Sequence, residues 1–229
     1  MIAQEWRDVL FLNYKINPSA LKKVLHDHLR KNLSDSVVNL IEVDTFEGWG
    51  FLSLVSFRMS GVRFPFTPVL PFSKLWELNL RTYINYKGRK GIYFFTLDTD
   101  HHIAKWIART FFSLPYRYRF LRASISKNEY FFESPGSFKV SAKKTKTALA
   151  IESYHHWLVE RYSLFTEEKG KLWRGDVNHR PWKLNYSQIT SLDESLQEEF
   201  FPGIKTDFDS SFYSEFLPVS FNPFKQVYP

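Results

Sequence analysis

Glu77, Asn79 and Arg81 recur at every second position of the stretch "LWELNLRTYINY", residues 75–86. Alternate residues of a strand share a face, so a carboxylate, a carboxamide and a guanidinium stand in one row that grades into Tyr83. The other face is apolar: Trp76, Leu78, Leu80, Thr82, Ile84 and Tyr86. A guanidinium can hold a carboxylate or carbonyl oxygen through charge-assisted hydrogen bonds. A neighbouring carboxylate can orient that guanidinium or move a proton. The same stripe would equally suit a salt-bridged strand face in water. The following run, "GIYFFTLD", bears on the choice because it is apolar on both sides, as central strands covered on both faces are. Its partner's polar side is then expected to be covered too, and covered charges must find partners.

The elements that would position these groups can be read outward from there. "NYKGRKGI" is a hairpin signal. A loop centred on Gly88 and Arg89 pairs Lys87 with Lys90, Tyr83 with Phe94, Arg81 with Thr96 and Asn79 with Asp98. In this register Asp98 joins Glu77, Asn79 and Arg81 on one face, and Arg81 and Asp98, as diagonal neighbours, could form an ion pair. The expected result is a pocket with aromatics at one depth and a few polar groups at another, the usual make-up of a small-molecule site. Glu77 and Asp98 are the candidate proton-moving carboxylates. Asn79, Arg81, Tyr83 and Tyr116 are candidate ligand contacts.

Upstream, "RDVLFLNYKI" reads as a first strand, and "NPSALKKVLHDHL" as a helix capped by Asn17 with Pro18 at its first position. "SVVNLIEV" and residues 49–59 read as strands. The proline-rich stretch 61–72 reads as a connection, and "DTDHHIAKWIARTFFSL" as a second helix ended by Pro115. Downstream come "YRYRFLRASI", "EYFFES", "SFKVSAKK" and "ALAIES" as strands, then a hairpin over residues 157–184 around "EEKG". A short helix is expected within residues 191–200 and a last edge-type strand over residues 212–227, with prolines at its ends. About ten strands and two or three helices suggest one mainly β (α+β) domain, residues 1–229: a large antiparallel sheet closed into a barrel or folded into a sandwich.

Composition bounds the function. An aromatic content of 18% (23 Phe, 12 Tyr, 7 Trp) favours strands and aromatic-walled cores. The absence of cysteine excludes disulfides, thiolate nucleophiles and Cys-ligated metals. No apolar run reaches the roughly 18 residues of a membrane span, and the start lacks a secretory pattern, so a cytoplasmic protein without membrane attachment is expected. The seven histidines include the close pairs 26/28, 101/102 and 155/156, none at the i, i+4 spacing of helical zinc ligands. No metal or cofactor is therefore expected. His179, in "NHRPW", is a candidate ligand contact able to titrate near neutrality, although a hydrogen-bonded turn histidine is its ordinary role. For Glu160 and Arg161 the default is an ion pair with a neighbour. The net charge of +7 and the alternation in "YRYRF" permit a nucleic-acid platform. Rings turned inward and guanidinium groups outward on a barrel strand are the favoured reading.

The runs "ELNLRTY", "GIYFFTLD", "SLPYRYR", "ERYSLF" and "RGDVNHRPWKL" resemble the YqjF-like family, which is grouped by fold with acetoacetate decarboxylase. The resemblance runs over most of the chain and implies a closed β-barrel with an internal pocket and peripheral helices. The decarboxylase uses a Schiff-base lysine, activated by a second lysine, just after a proline that follows a helix. The matching place here is Pro115, followed by Tyr116 and Arg117, so the resemblance implies no decarboxylation by that route. It also places the decarboxylase's first-strand arginine near Arg7 and its pocket glutamate near Glu77, which adds Arg7 to the candidate anion contacts. The leading expectation is a pocket for a small carboxylate- or carbonyl-bearing molecule, with lyase-like chemistry lacking a Schiff base. A non-catalytic ligand-binding or sensor protein is the alternative, and a basic aromatic nucleic-acid binder the second alternative. Homo-oligomer formation is left open.

Overall fold

The computed structural model describes residues 1–64, 66–68, 74–102, 114–149 and 153–227. The helix expected over residues 98–114 falls largely outside them. The described chain is mostly β, with strands β1 (Ile2–Ile16), β2 (Ile41–Val43), β3 (Gly50–Arg63), β4 (Leu75–Tyr86), β5 (Arg89–Thr99), β6 (Tyr116–Tyr118), β7 (Arg122–Ile125), β8 (Glu129–Ser134) and β9 (Phe138–Ala148). The remaining strands are β10 (Ser163–Glu168), β11 (Lys171–His179), β12 (Asn185–Glu194), β13 (Thr206–Phe221) and β14 (Lys225–Val227). Helices α1 (Pro18–Leu29), α2 (Asp35–Val38) and α3 (Ser153–Val159) accompany them, with a 3-10 turn at Leu196–Glu199.

The strands form one sheet in the order β14-β11-β10-β5-β4-β3-β1-β13-β12-β9-β8-β7, and β11 also pairs with β13. The sheet is mixed rather than antiparallel throughout, because β5 pairs in parallel with both β10 and β6. Gly91 permits the β5–β10 contact: a Cβ there would sit 2.6 Å from the Ser163 carbonyl oxygen and from the Phe165 ring.

Two apolar layers lie on opposite faces of β1, β3, β4 and β5. One joins Leu10, Leu12, Leu52, Leu54, Leu78, Leu80 and Ile84 to Leu21, Leu25 and Leu29 of α1. The helix begins where expected, with the Asn17 side chain accepting from the Ser19 and Ala20 amides. The other layer gathers Val9, Phe11, Val55, Phe57, Phe94, Leu97 and Trp182.

Several elements differ from expectation. Val37 and Val38 lie in the helical turn α2, so the strand read over residues 36–43 shrinks to β2. Trp157, Leu158 and Val159 belong to α3, not to a hairpin strand, although the turn at Lys169–Gly170 is present. Residues 191–194 continue β12. The last long strand, β13, is no edge: it lies between β1 and β12 and runs through Pro218. Its partner on the side away from β1 passes from β12 at Tyr213 to β11 at Val219. Pro218 falls in that interval, where a missing N–H costs no ladder bond.

Candidate functional site

The β4–β5 hairpin closes one residue earlier than the sequence suggests, which moves each cross-strand partner by two residues. Tyr86 pairs with Arg89 around Lys87 and Gly88, whose φ values are 50° and 80°. Positive φ at both central residues is the mark of a type I′ turn, whose twist matches that of a hairpin. A two-residue shift preserves the faces, and Arg81 lies opposite Phe94 and Tyr83 opposite Ile92. Past that point the ladder is irregular: Arg81 pairs with Phe94 but Leu80 pairs with Thr96, leaving Phe95 as an extra residue on β5. One inserted residue turns everything beyond it to the other face. Leu97 and Thr99 therefore oppose Asn79 and Glu77, while Asp98 opposes Leu78.

The expected sharing of one face by Asp98 and Arg81 is thus corrected. Asp98 is fully buried on the opposite side. Its carboxylate takes Arg117 Nε at 2.8 Å, Arg119 Nε at 2.7 Å and the Thr96 hydroxyl at 2.6 Å. Glu199 closes the network on the outer side of both arginines, at 3.0 and 2.8 Å. The arginines of "YRYR" are therefore committed to carboxylates.

A second irregularity removes Arg7. Asp8 has φ 55° and sits where the β1–β3 register shifts. Ile2, Gln4 and Trp6 before it, and Val9 and Phe11 after it, line the same cavity. Arg7 lies on the other face, half exposed, bonded to Glu5 at 2.9 Å and stacked 4.5 Å from the Phe216 ring.

Glu77, Asn79, Arg81, Tyr116 and His179 all line that cavity, whose volume is about 130 Å³. Its walls are otherwise largely apolar, including Phe11, Phe57, Phe94 and Trp182. Tyr83 does not reach it: the ring is fully buried and packs 4.8 Å from Trp157, and the hydroxyl is 2.7 Å from Ser53 Oγ. Ser53 in turn donates to Asn13. His179, half buried, has Nδ1 2.7 Å from the Arg180 carbonyl and stacks on Tyr162, so the turn-histidine arrangement and a place on the cavity wall coexist.

The polar groups of the cavity are unequally satisfied. Tyr116 donates to Glu77 Oε2, and Asn79 donates to Glu77 Oε1 at 3.2 Å. Burial pushes the Glu77 carboxyl up to about 7; the bonds from Tyr116 and Asn79 work against that rise, and the Asp98 charge adds to it. Burial and the adjoining Glu77 charge hold the Tyr116 hydroxyl well above its ordinary value, so it stays a donor. Arg81 is buried with its guanidinium 5.3 Å from the centre of the Phe11 ring, and Nε and Nη2 have no hydrogen-bond partner. No carboxylate among the described residues forms an ion pair with it.

Arg161, unassigned to the site on sequence grounds, also lines the cavity. It does form the expected ion pair, with buried Asp44 at 2.9 Å, an acid that no spacing pattern marks. No group of three or more His, Asp or Glu side chains among the described residues could hold a metal ion. No described helix is long and apolar enough to cross a membrane.

Comparisons with known proteins agree with this architecture. The chain is 34% identical over 199 residues to YqjF of Bacillus subtilis strain 168, covering 82% of this chain and 76% of that protein. Acetoacetate decarboxylase from Legionella pneumophila superposes with a TM-score of 0.66 at 13% identity, covering 100% of this chain and 88% of that one. The enduracididine biosynthesis enzyme MppR in complex with pyruvate superposes with a TM-score of 0.62 at 10% identity, covering 99% and 90%. At such identities the likeness establishes an acetoacetate decarboxylase-like fold and no more. Residues 3–215 match the profile of DUF2071, a family of uncharacterized conserved proteins, and with the YqjF match this shows that the chain belongs to this YqjF-like family.

Proposed function

We propose that the protein binds a small carboxylate- or carbonyl-bearing molecule in the cavity beside Arg81. The observation that carries this reading is the state of Arg81: a buried guanidinium with Nε and Nη2 unpartnered beside an apolar cavity. Buried charge without hydrogen bonds is strongly unfavourable, and an oxygen anion at that place would satisfy it. The β11–β13 pairing, added to the path β11-β10-β5-β4-β3-β1-β13, is read as closing a barrel around the cavity, with the chain as one domain.

Glu77 and Tyr116 form the proton-handling pair of the reading. A carboxyl that titrates near neutrality can take or give a proton at a carbon beside a carbonyl. The chemistry so proposed is lyase-like. No lysine is among the described residues that line the cavity, so these residues supply no Schiff base. Some proteins of this fold take such guests, as the MppR complex with pyruvate illustrates for that protein. If Glu77 only orients the guest, the same site serves as a non-catalytic binder or sensor.

Thermal-shift screening with short carboxylates tests the binding: a dose-dependent rise is expected in the wild type and none in Arg81→Met. Borohydride trapping with keto acids is expected to leave no covalent adduct, and an adduct would overturn the lysine-free reading. Exchange of solvent deuterium into a bound keto acid, abolished in Glu77→Gln, separates catalyst from binder.

A further inference from the structure

Arg161 differs from Arg81 in how it is held. Its Nη1 meets Asp44 at 2.9 Å, its Nε donates to the Trp157 carbonyl at 2.7 Å, and its guanidinium lies 4.4 Å from the Trp157 ring centre and 5.2 Å from that of Tyr83. Asp44 also receives half-exposed Lys90 at 2.9 Å, so it is not a counter-charge for Arg161 alone. Nη2 of Arg161 is left buried and without a partner. The same is true of Trp182 Nε1, whose side chain lines the same cavity. Burial disfavours the Arg161 charge, and the Arg81 charge opposes it as well.

Donors therefore outnumber acceptors. Arg81 Nε and Nη2, Arg161 Nη2 and Trp182 Nε1 are open, whereas the open buried side-chain acceptors at this site are Asn79 Oδ1 on the cavity wall and, behind it, Asp44 Oδ2, which meets Arg161 Nη1 as an ion pair without a hydrogen bond. Both Glu77 oxygens are already engaged by Tyr116 and Asn79. Arg161 stacks on the Tyr83 ring, and residues 81 and 83 point to the same face with a rise of roughly 7 Å between them. That backbone rise, from Arg81 to the residue whose ring Arg161 stacks on, is of the order of the length of a short diacid.

We propose that Arg161 is a second anion anchor and that the preferred guest is a short dianion, one carboxylate meeting Arg81 and the other acidic group meeting Arg161. This rests on the Arg81 reading given above and adds the guest's second charge to it. Asp44 acts as a positioning residue: its ion pair at Nη1 holds the fork with Nη2 as a free donor.

The test is calorimetric titration at constant ionic strength with matched pairs, succinate against butyrate and glutarate against pentanoate, and succinamide as the uncharged control. The diacid of each pair is expected to bind the wild type at least tenfold more tightly than the monoacid, with succinamide weaker than both. In Arg161→Gln combined with Asp44→Asn, which removes the buried pair together, the diacid's advantage should collapse to within about twofold. Arg161→Lys should retain an intermediate advantage, since it keeps the charge without the fork. Circular dichroism spectra matching the wild type qualify each variant. Equal affinity of the wild type for both members of a pair overturns the inference and leaves the Arg81 reading standing, as does an advantage that survives in the double variant. Failure of the wild type to bind any of the acids overturns both.

Discussion

The two faces of the β4–β5 hairpin each carry acids and arginines, yet the arrangements are opposite in kind. On the α1 side, Asp98 is buried between Arg117 and Arg119, and Glu199 caps both. Charge is matched and the carboxylate's hydrogen bonds are made. On the cavity side, Arg81 has no carboxylate among the described residues, two of its donors are open, and Glu77 is engaged by neutral donors. A closed network rigidifies a fold, whereas a buried charge left open persists only where something else completes it. The difference teaches that an acid next to an arginine in sequence space is poor evidence of a site, and that the unfilled valence is the better sign.

Breaking the closed side should cost the most. Asp98→Ala leaves two arginines facing each other with one partner removed, and breaking a buried pair from one side is strongly destabilising. A loss of roughly 4 kcal/mol in unfolding free energy is expected by urea titration. If Asp98→Ala melted like the wild type, the structural role assigned to it would fall.

Glu77 should give the next largest effect, and it depends on pH. Its folded value of about 7 lies above the ordinary 4.5, so between those values the native state holds more protons than the unfolded chain. Stability contributed by this group therefore falls as pH rises through that window and stays low above it. The whole effect is on the order of 3 kcal/mol. Glu77→Gln should accordingly gain stability relative to the wild type between pH 4.5 and 7.5. Parallel stability curves for the two proteins across that range would contradict a proton-holding Glu77.

Arg81→Met sharpens the contrast from the other side. Removing an arginine whose donors are open forfeits little, so unfolding free energy is expected to stay within about 1 kcal/mol of the wild type or to rise. Binding of short carboxylates should fall by more than tenfold, that is by more than about 1.4 kcal/mol. A large loss of stability instead would show that Arg81 belongs to the frame, as Asp98 does.

How much of this was legible follows from the period of the strand. The stripe Glu77–Asn79–Arg81 and the apolar face Leu78–Leu80–Ile84 were readable because β4 is regular over that length, and α1 because Asn17 and Pro18 announce it. The turn could have been placed correctly: Gly88 in second position after Lys87 fits the Xaa–Gly preference of a type I′ turn, and Lys169–Gly170 repeats it with φ values of 52° and 76°. Asp98 was misplaced by the strand period and Arg7 by the resemblance, and the structure turns both away from the cavity in a like manner. Each lies just beyond or beside a strand irregularity, at Phe95 and at Asp8, and one extra residue exchanges the faces. Phe95 sits in an aromatic run and Asp8 in an alternating one, so neither carries a glycine to betray the irregularity. Arg161 and Trp182 lie far in the chain from β4, and only the tertiary fold brings them to its cavity and Asp44 to Arg161.

Arg7 offers the smallest effect and the cleanest check on the irregularity at Asp8. Were β1 regular, Arg7 would share a face with Val9 and Phe11 and point into the cavity. With the face exchanged at Asp8, its guanidinium is half exposed, paired with an equally exposed Glu5 and resting on Phe216. Exposed pairs of this kind contribute about 0–1 kcal/mol, and the ring contact adds about 0.5–1 kcal/mol. Arg7→Ala should therefore lower stability by about 1 kcal/mol, and by no more than about 2, in a urea titration and leave carboxylate binding within twofold of wild type. A loss of binding comparable to that of Arg81→Met would mean that residue 7 reaches the guest, and that β1 does not change face where the left-handed Asp8 puts the exchange.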